Sequence, residues 1–127
     1  MATVTLGAEN FESTVNDNEI VFVDFWAAWC GPCRQFAPVF ESASETHSDL
    51  VFGKVDTEAE QSLAAAARIT SIPTLMAFKK GHLVFSQPGA LPASAFEELV
   101  QAVKDLDVDA ALAEQAQQEA AQAEDGR

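Results

Sequence analysis

The stretch Trp29-Cys30-Gly31-Pro32-Cys33 decides the fold and the chemistry, because it holds the only two cysteines among the 127 residues. It follows an apolar run over residues 20–26 and precedes a helical pattern that starts near Cys33. Two intervening residues let both sulfurs meet across one helical turn, so a disulfide can form and break with little backbone movement. A strand-to-helix junction also places the first sulfur near free helix N–H groups and the positive end of the helix dipole, which stabilise a nucleophilic thiolate.

A Cys-X-X-Cys pair has three possible roles, and the spacing favours a redox-active dithiol. A zinc site needs four ligands, and His47 and His82 lack compact ligand spacing around the pair, so zinc would require a dimer or distant residues. A purely structural disulfide over so short a loop removes little entropy from the unfolded chain. Zinc binding stays open as an alternative to redox chemistry.

Length and charge limit the class of protein. A chain of 127 residues can bury one core, and its hydrophobic fraction of 48% is ordinary for a globular domain. The net charge of −13 argues against nucleic acid as a partner, because phosphates need cationic side chains, and it offers no basic patch to an anionic membrane. No apolar run approaches the length of a membrane span. The acid excess either keeps the protein in solution or steers a partner.

The N-terminal stretch and the cysteine usage bear on location. Residues 1–10 have neither the basic nor the apolar region of a signal peptide. Two cysteines in a redox spacing do not suggest a secreted disulfide scaffold. We therefore expect a cytoplasmic protein.

Residues 20–26 are apolar except for Asp24. A run that is apolar at almost every position indicates a strand covered on both faces, as in an α/β sheet. A carboxylate there is costly unless it is paired or protonated. Asp24 either forms a structural ion pair or edge contact, or burial raises its pKa and makes it a proton acceptor for a nearby thiol. Lys54 likewise interrupts the strand pattern of residues 50–56, most simply as a solvated strand end.

Hydrophobic periodicity predicts further alternation of strands and helices. The predicted strands cover residues 3–6, 20–26, 50–56, 74–78 and 83–85, with a turn over residues 79–82. The first predicted helix covers residues 11–15, with Asn10 as its cap. The other predicted helices cover residues 33–47, with Pro38 inside, 57–68 and 92–104.

The chain divides into one domain, residues 1–106, and an acidic Ala- and Gln-rich C-terminal tail, residues 107–127. The tail composition favours helix, but apart from Val108 and Leu112 it has little to bury. We expect the tail to be a frayed helix or disordered, with a partner-binding helix as the alternative.

Residues 21–33, which read VFVDFWAAWCGPC, resemble the active-site region of thioredoxins nearly residue for residue. The likeness runs from the N-terminus to about Asp105 and includes the segment Ile72-Pro73-Thr74. The resemblance implies the thioredoxin fold: an α/β domain with a central mixed five-stranded sheet, three parallel strands plus an antiparallel hairpin, flanked by helices on both faces. It also implies a cis peptide bond before Pro73, although trans is more common before proline in general.

The resemblance also implies roles for individual residues. Cys30 is then the partly exposed nucleophile, and Cys33, more buried, resolves the mixed disulfide. Asp24 matches a buried aspartate that helps to deprotonate the second cysteine, and Lys54 matches a lysine that faces this aspartate. The implied substrate-docking surface consists of Trp29, Gly31, Pro32, Ile72, Pro73 and Gly89.

The resemblance implies a protein-disulfide reductase whose partners are thioredoxin reductase and disulfide-containing cytosolic proteins. No Gly-rich dinucleotide fingerprint is present, so we expect no bound cofactor and electrons that come from NADPH through the reductase. Gly31-Pro32 between the cysteines resembles reductases, whereas oxidases and isomerases more often carry a His there. An oxidase or isomerase and a redox-independent binding module stay open as alternatives. We also expect a monomer.

Overall fold

The computed structural model describes residues 2–125 and contains one five-stranded sheet. Its strands are β1 (Val4–Thr5), β2 (Ile20–Trp26), β3 (Val51–Asp56), β4 (Thr74–Lys79) and β5 (His82–Pro88). The helices are α1 (Phe11–Asp17), α2 (Gly31–Thr46), α3 (Gln61–Ala66), α4 (Ala93–Asp105) and α5 (Val108–Asp125).

The sheet has the strand order β1-β3-β2-β4-β5, with β1, β3 and β2 parallel and the β4–β5 hairpin antiparallel to them. The predicted fold class is therefore confirmed. Central strand β2 is apolar throughout because both of its faces are covered. Phe22 packs with the residues of α2 and α4, whereas Val21 and Val23 pack on the opposite face. Since side chains alternate along a strand, Asp24 lies on the same face as Phe22, the face that α2 covers.

A cluster of aromatic side chains holds α2 against the sheet. Phe36 and Phe40, one turn apart on the buried face of α2, lie with ring centroids 5.4 Å and 5.8 Å from Phe96 of α4. Phe40 also meets Phe52 of β3 edge to face at 5.4 Å. Such pairs each add about 1 kcal/mol beyond the burial of apolar area. This packing fixes the N-terminus of α2, where the cysteines lie, relative to β2.

Two local predictions are wrong. The helix predicted over residues 57–68 is shorter, because Asp56 Oδ1 accepts the N–H groups of Glu58 and Ala59 and forms a turn that competes with helix. Asn10 precedes α1, but its side chain accepts the N–H of Gly7 at 2.7 Å rather than capping the helix.

Lys79 was predicted to lie in a turn, and this is also wrong. β4 continues through Lys79, whose side chain is buried. Its Nζ donates to the carbonyl oxygens of Val103 at 2.8 Å, Lys104 at 2.9 Å and Leu106 at 2.7 Å. Val103 and Lys104 belong to the last turn of α4 and Leu106 is its C-cap residue, so Lys79 donates to carbonyl oxygens at the C-terminus of this helix. The Val103 oxygen also accepts the N–H of Leu106 at 3.3 Å.

The tail forms the helix α5 in the described residues. Asp107 Oδ1 accepts the N–H of Ala110 at 3.0 Å and caps its N-terminus, and Val108 is buried. The domain limit at residue 106 and the fraying of the tail stay predictions, and residues 1, 126 and 127 lie outside the described part. No helix within residues 2–125 combines the length and apolarity needed to cross a membrane.

Candidate active site

The two cysteines lie where β2 gives way to α2. Cys30 is the N-cap residue of α2, with an extended backbone at φ −86° and ψ 114°, and it forms a disulfide with Cys33. The two Cα atoms are 5.2 Å apart, an ordinary separation for a disulfide. Both residues are buried, 4% and 3% exposed, so the predicted difference in exposure is not found in the disulfide form.

The N-terminal turn of α2 directs a donor at the first sulfur. The backbone N–H of Cys33 donates to Cys30 Sγ at 3.2 Å. This N–H is one of the helix groups without a backbone partner, and a thiolate at this sulfur also faces the positive end of the helix dipole. Pro32 in the first turn lacks an N–H but leaves this donor intact. The N-terminus of α2 therefore stabilises a thiolate at Cys30 more than water stabilises the thiolate of an exposed cysteine.

The loop at Pro73 approaches the same sulfur. Cys30 Sγ lies 3.7 Å from the carbonyl oxygen of Ile72, and the Ile72–Pro73 peptide bond is cis, as the family resemblance implied. Pro73 O accepts the N–H of Gly89 at 2.8 Å. Gly89 adopts φ +104°, a conformation that favours glycine. This backbone conformation, rather than crowding around an added side chain, accounts for glycine at the position.

The predicted docking residues surround the disulfide but differ in exposure. Trp29 is 67% exposed, and Pro32 and Gly89 are also exposed. Ile72 is half-buried and packs against the cluster formed by Ala27 and the two cysteines. Pro73 is buried, so its side chain contributes little direct contact surface. An exposed indole next to a disulfide forms an apolar surface on which an extended chain can lie.

Asp24 is a buried carboxylic acid without a hydrogen-bond partner. It is 1% exposed, and neither carboxyl oxygen has a partner among the described residues. Burial raises the pKa of Asp24 from 3.8 to about 7, and the positive charge of Lys54 opposes part of that rise. A carboxyl group that titrates near neutral pH can take up and release a proton under working conditions.

Lys54 lies beside Asp24 without an ion pair between the described atoms of the two side chains. The two residues are register partners on the parallel strands β2 and β3. Lys54 Nζ instead lies over the ring of Trp26, 5.0 Å from its centroid. A cavity of about 90 Å³ separates this lysine from α2, and Cys33 and Arg34 also line it.

Arg34 is a residue of this site that the sequence reasoning missed. Its Nη1 donates to the carbonyl oxygen of Ala28 at 2.9 Å, which ties α2 to the loop that carries Trp29. Its position directly after Cys33, in the first turn of α2, was the signal that could have drawn attention to it. Among the side chains that the structure describes, no group of three or more metal-ligating residues lies close enough to hold a metal ion.

The sheet, the cis bond and the disulfide at the N-cap of α2 define a thiol–disulfide oxidoreductase of the thioredoxin class. The thioredoxin family model matches residues 2–105, most of the chain. The chain belongs to the thioredoxin family.

Proteins that resemble this chain in sequence or in structure are described as thioredoxins. A protein described as putative thioredoxin 2 from Streptomyces coelicolor is 54% identical over 119 residues, which cover 94% of this chain and 89% of that protein. The thioredoxin of Alicyclobacillus acidocaldarius is 42% identical over 97 residues, 76% of this chain and 92% of that protein. The solved structure of Plasmodium falciparum thioredoxin has a TM-score of 0.73 at 37% identity and covers 78% of this chain and 97% of that chain.

Proposed function

We propose that this oxidoreductase reduces disulfides of cytosolic proteins, with Cys30 as nucleophile and Cys33 as resolving residue. The Cys30 thiolate attacks one sulfur of the substrate disulfide, forms a mixed disulfide and releases the other substrate sulfur as a thiolate, which takes up a proton. The Cys33 thiolate then attacks Cys30, which closes the Cys30–Cys33 disulfide and releases the second substrate thiol. Two electrons pass from the dithiol to the substrate.

The N–H of Cys33, 3.2 Å from Cys30 Sγ, is the observation that carries this proposal. It favours the thiolate at Cys30 in the reduced protein, which is the form that attacks the substrate disulfide. The backbone N–H of Cys30, in contrast, donates to the carbonyl oxygen of Ala27 at 3.2 Å and not to a sulfur. This asymmetry supports different roles for two cysteines that are almost equally buried.

In this proposal Asp24 accepts the proton of Cys33 when the mixed disulfide is resolved. Its pKa of about 7 suits a group that must take up and release a proton near neutral pH. Asp24 lies on the face of β2 that α2 covers, the helix of Cys33. Lys54 keeps the pKa of Asp24 from rising further.

Substrates dock on the surface formed by Trp29, Gly31, Pro32, Ile72, Pro73 and Gly89 in this proposal. The exposed Trp29 supplies apolar contact. In the proposal, the backbone of Ile72 pairs with an extended substrate segment, as when a strand is added to a sheet edge.

The proposed cycle is completed by a thioredoxin reductase that passes electrons from NADPH to the Cys30–Cys33 disulfide. The chain then serves electron transport and redox homeostasis as a monomer with no cofactor of its own. Such a cycle requires a compartment that supplies the reductase and its reductant, and we propose the cytoplasm.

Replacement of the resolving cysteine tests the proposal. The Cys33→Ser variant should form a stable mixed disulfide through Cys30 with a disulfide-bonded substrate such as insulin, because nothing remains to resolve it. The adduct is detected by non-reducing electrophoresis and mass spectrometry. The matched Cys30→Ser variant should give no adduct. Equal trapping by both variants would contradict the assigned roles, and trapping by neither would contradict the reductase function.

A further inference from the structure

Arg34 lies next to the redox pair and has no role in the cycle described above. Its side chain is exposed, and one end of its guanidinium is held by a backbone carbonyl oxygen. Nη1 donates to Ala28 O at 2.9 Å, and a Cβ atom placed on Gly31 would lie 4.0 Å from Nη2. The guanidinium therefore lies along the loop that presents Trp29 and the first cysteine.

The charge of Arg34 is not neutralised by a carboxylate. Lys80, for comparison, pairs with Asp109 at 3.3 Å, whereas Arg34 forms no such pair with the side chains that the structure describes. The first turn of α2 contains no acidic residue, and the N-terminus of the helix adds a partial positive charge. The loop beside Cys30 is therefore locally positive in a chain whose net charge is −13.

The guanidinium also retains free donors. Arginine has five N–H donors, and the hydrogen bond to Ala28 O uses one of them. A planar guanidinium that is already held in place binds a carboxylate with little further loss of side-chain freedom. The exposed Trp29 and Pro32 belong to the same loop and first turn, so a substrate that lies across them brings its own side chains near Arg34.

We propose that Arg34 is a specificity-determining residue that favours substrate disulfides flanked by an acidic side chain. The inference rests on the proposed reductase function, since it concerns the choice among its substrates. The net negative charge of the protein does not cancel this local effect, because at 0.15 M salt charges are screened over about 8 Å. A substrate side chain bound at the loop therefore responds mainly to Arg34 and little to the distant acidic residues.

The test uses three disulfide-bonded peptides that are identical except for one residue beside the disulfide, which is Glu, Gln or Lys. The full-length protein, reduced beforehand with a chemical dithiol, is mixed with each peptide at 0.15 M salt. The second-order rate constant is followed by Trp fluorescence. The measured quantity is the ratio of the Glu-peptide rate to the Lys-peptide rate in the wild type and in Arg34→Gln, Arg34→Glu, Arg34→Lys and the control Lys80→Gln.

We expect the ratio to fall about three- to fivefold in Arg34→Gln, the size of one exposed ion pair. In Arg34→Glu it should fall about tenfold in total, because attraction becomes repulsion. Arg34→Lys should keep most of the preference, since the charge is retained. Lys80→Gln, which removes the same charge from the far end of β4, should leave the ratio unchanged.

Two outcomes would overturn the inference. If Arg34→Gln slows all three peptides equally, Arg34 only positions the loop through Ala28. If Lys80→Gln changes the ratio as much as Arg34→Gln does, the effect comes from net charge. The neutral Gln peptide separates these outcomes from failure of the reductase function: a wild type that cannot reduce it is not a reductase of such disulfides, and the inference then fails with that function.

Discussion

Asp24 and Lys79 are both buried ionisable residues in the central sheet, yet their surroundings are opposite. Asp24 in β2 has no hydrogen-bond partner for either carboxyl oxygen in the described structure. Lys79 in β4 has three carbonyl partners, all within 2.9 Å. Asp24 lies near the end of the sheet that carries the disulfide, and Lys79 lies where β4 turns into the hairpin.

The difference separates a group available for chemistry from a group that holds the fold. An unpartnered buried carboxyl group is costly when it is ionised, so it keeps its proton up to about pH 7. The ammonium of Lys79 instead donates to three carbonyl oxygens, which replace its water shell and hold β4 against the end of α4. We expect substitutions at the two positions to have opposite effects on stability, and the effect at Asp24 to depend on pH in the neutral range.

The largest expected effect is the loss of a pH dependence in Asp24→Asn. The folded protein retains the Asp24 proton between about pH 4 and 7, where the unfolded chain has released it, because burial raises the pKa from 3.8 to about 7. The folded state binds more protons there, so this group's contribution to the free energy of unfolding falls as pH rises. The stability that Asp24 contributes below pH 4 is therefore lost by pH 7. The loss is about 4 kcal/mol at most, because each pKa unit of the shift is worth about 1.4 kcal/mol.

Urea unfolding of the oxidised proteins between pH 4 and 8.5 measures this effect. Asn resembles the protonated acid in size and carries no charge, so the variant should match the wild type near pH 4 and be more stable above pH 7. The difference between the two curves, rather than either curve alone, isolates Asp24 from the other acids. Parallel curves would show that the carboxyl group titrates normally.

The next effect is a loss of stability in Lys79→Met. The substitution removes three hydrogen bonds to carbonyl oxygens at the C-terminus of α4, which should cost about 3 kcal/mol. The adjacent Lys80→Met is the matched control, since its exposed pair with Asp109 should contribute less than about 1 kcal/mol. Urea unfolding at pH 7 measures both. Equal losses would mean that the carbonyl contacts contribute no more than a surface ion pair.

The smallest effect concerns the interaction between Lys54 and Asp24. Lys54 lowers the pKa of Asp24, so Lys54→Met should raise this pKa above its wild-type value of about 7. Carboxyl-carbon NMR of the labelled aspartate across the pH range measures it. Lys80→Met serves again as control and should leave the titration in place. An unchanged titration in Lys54→Met would mean that the cation over Trp26 acts on the indole and not on the carboxyl group.

The predictions that depended on periodicity succeeded where the elements are long and buried. β2 and α2 are close to the predicted limits because continuous apolarity and a strong helical face leave few alternatives. The helix predicted over residues 57–68 was too long because a single Asp56 oxygen, bonded to two backbone N–H groups, stabilises a turn that composition does not reveal.

The sequence predicted some parts of the active site and not others. The spacing of Cys30 and Cys33 after a strand was enough to predict a dithiol with a stabilised thiolate. The nearness of Ile72 to Cys30, 42 residues earlier in the chain, could come only from the family resemblance or from the fold. The hydrogen bond between Arg34 and Ala28 was not anticipated, because an exposed arginine after a cysteine has no pattern that fixes its direction.

The sequence by itself determined the α/β class, the redox pair and the unusual carboxyl group within an apolar strand, because each depends on residue type and spacing along the chain. The tertiary structure decided the partners of the buried charges. Asp24 stays without a hydrogen-bond partner in the described structure and Lys79 obtains three. Asp24 interrupts an apolar run, whereas Lys79 stands beside Lys80 at the end of one, and neither sequence environment reveals which charge has partners. The carbonyl oxygens that distinguish them come from α4, which lies far along the chain and meets β4 only in the folded protein.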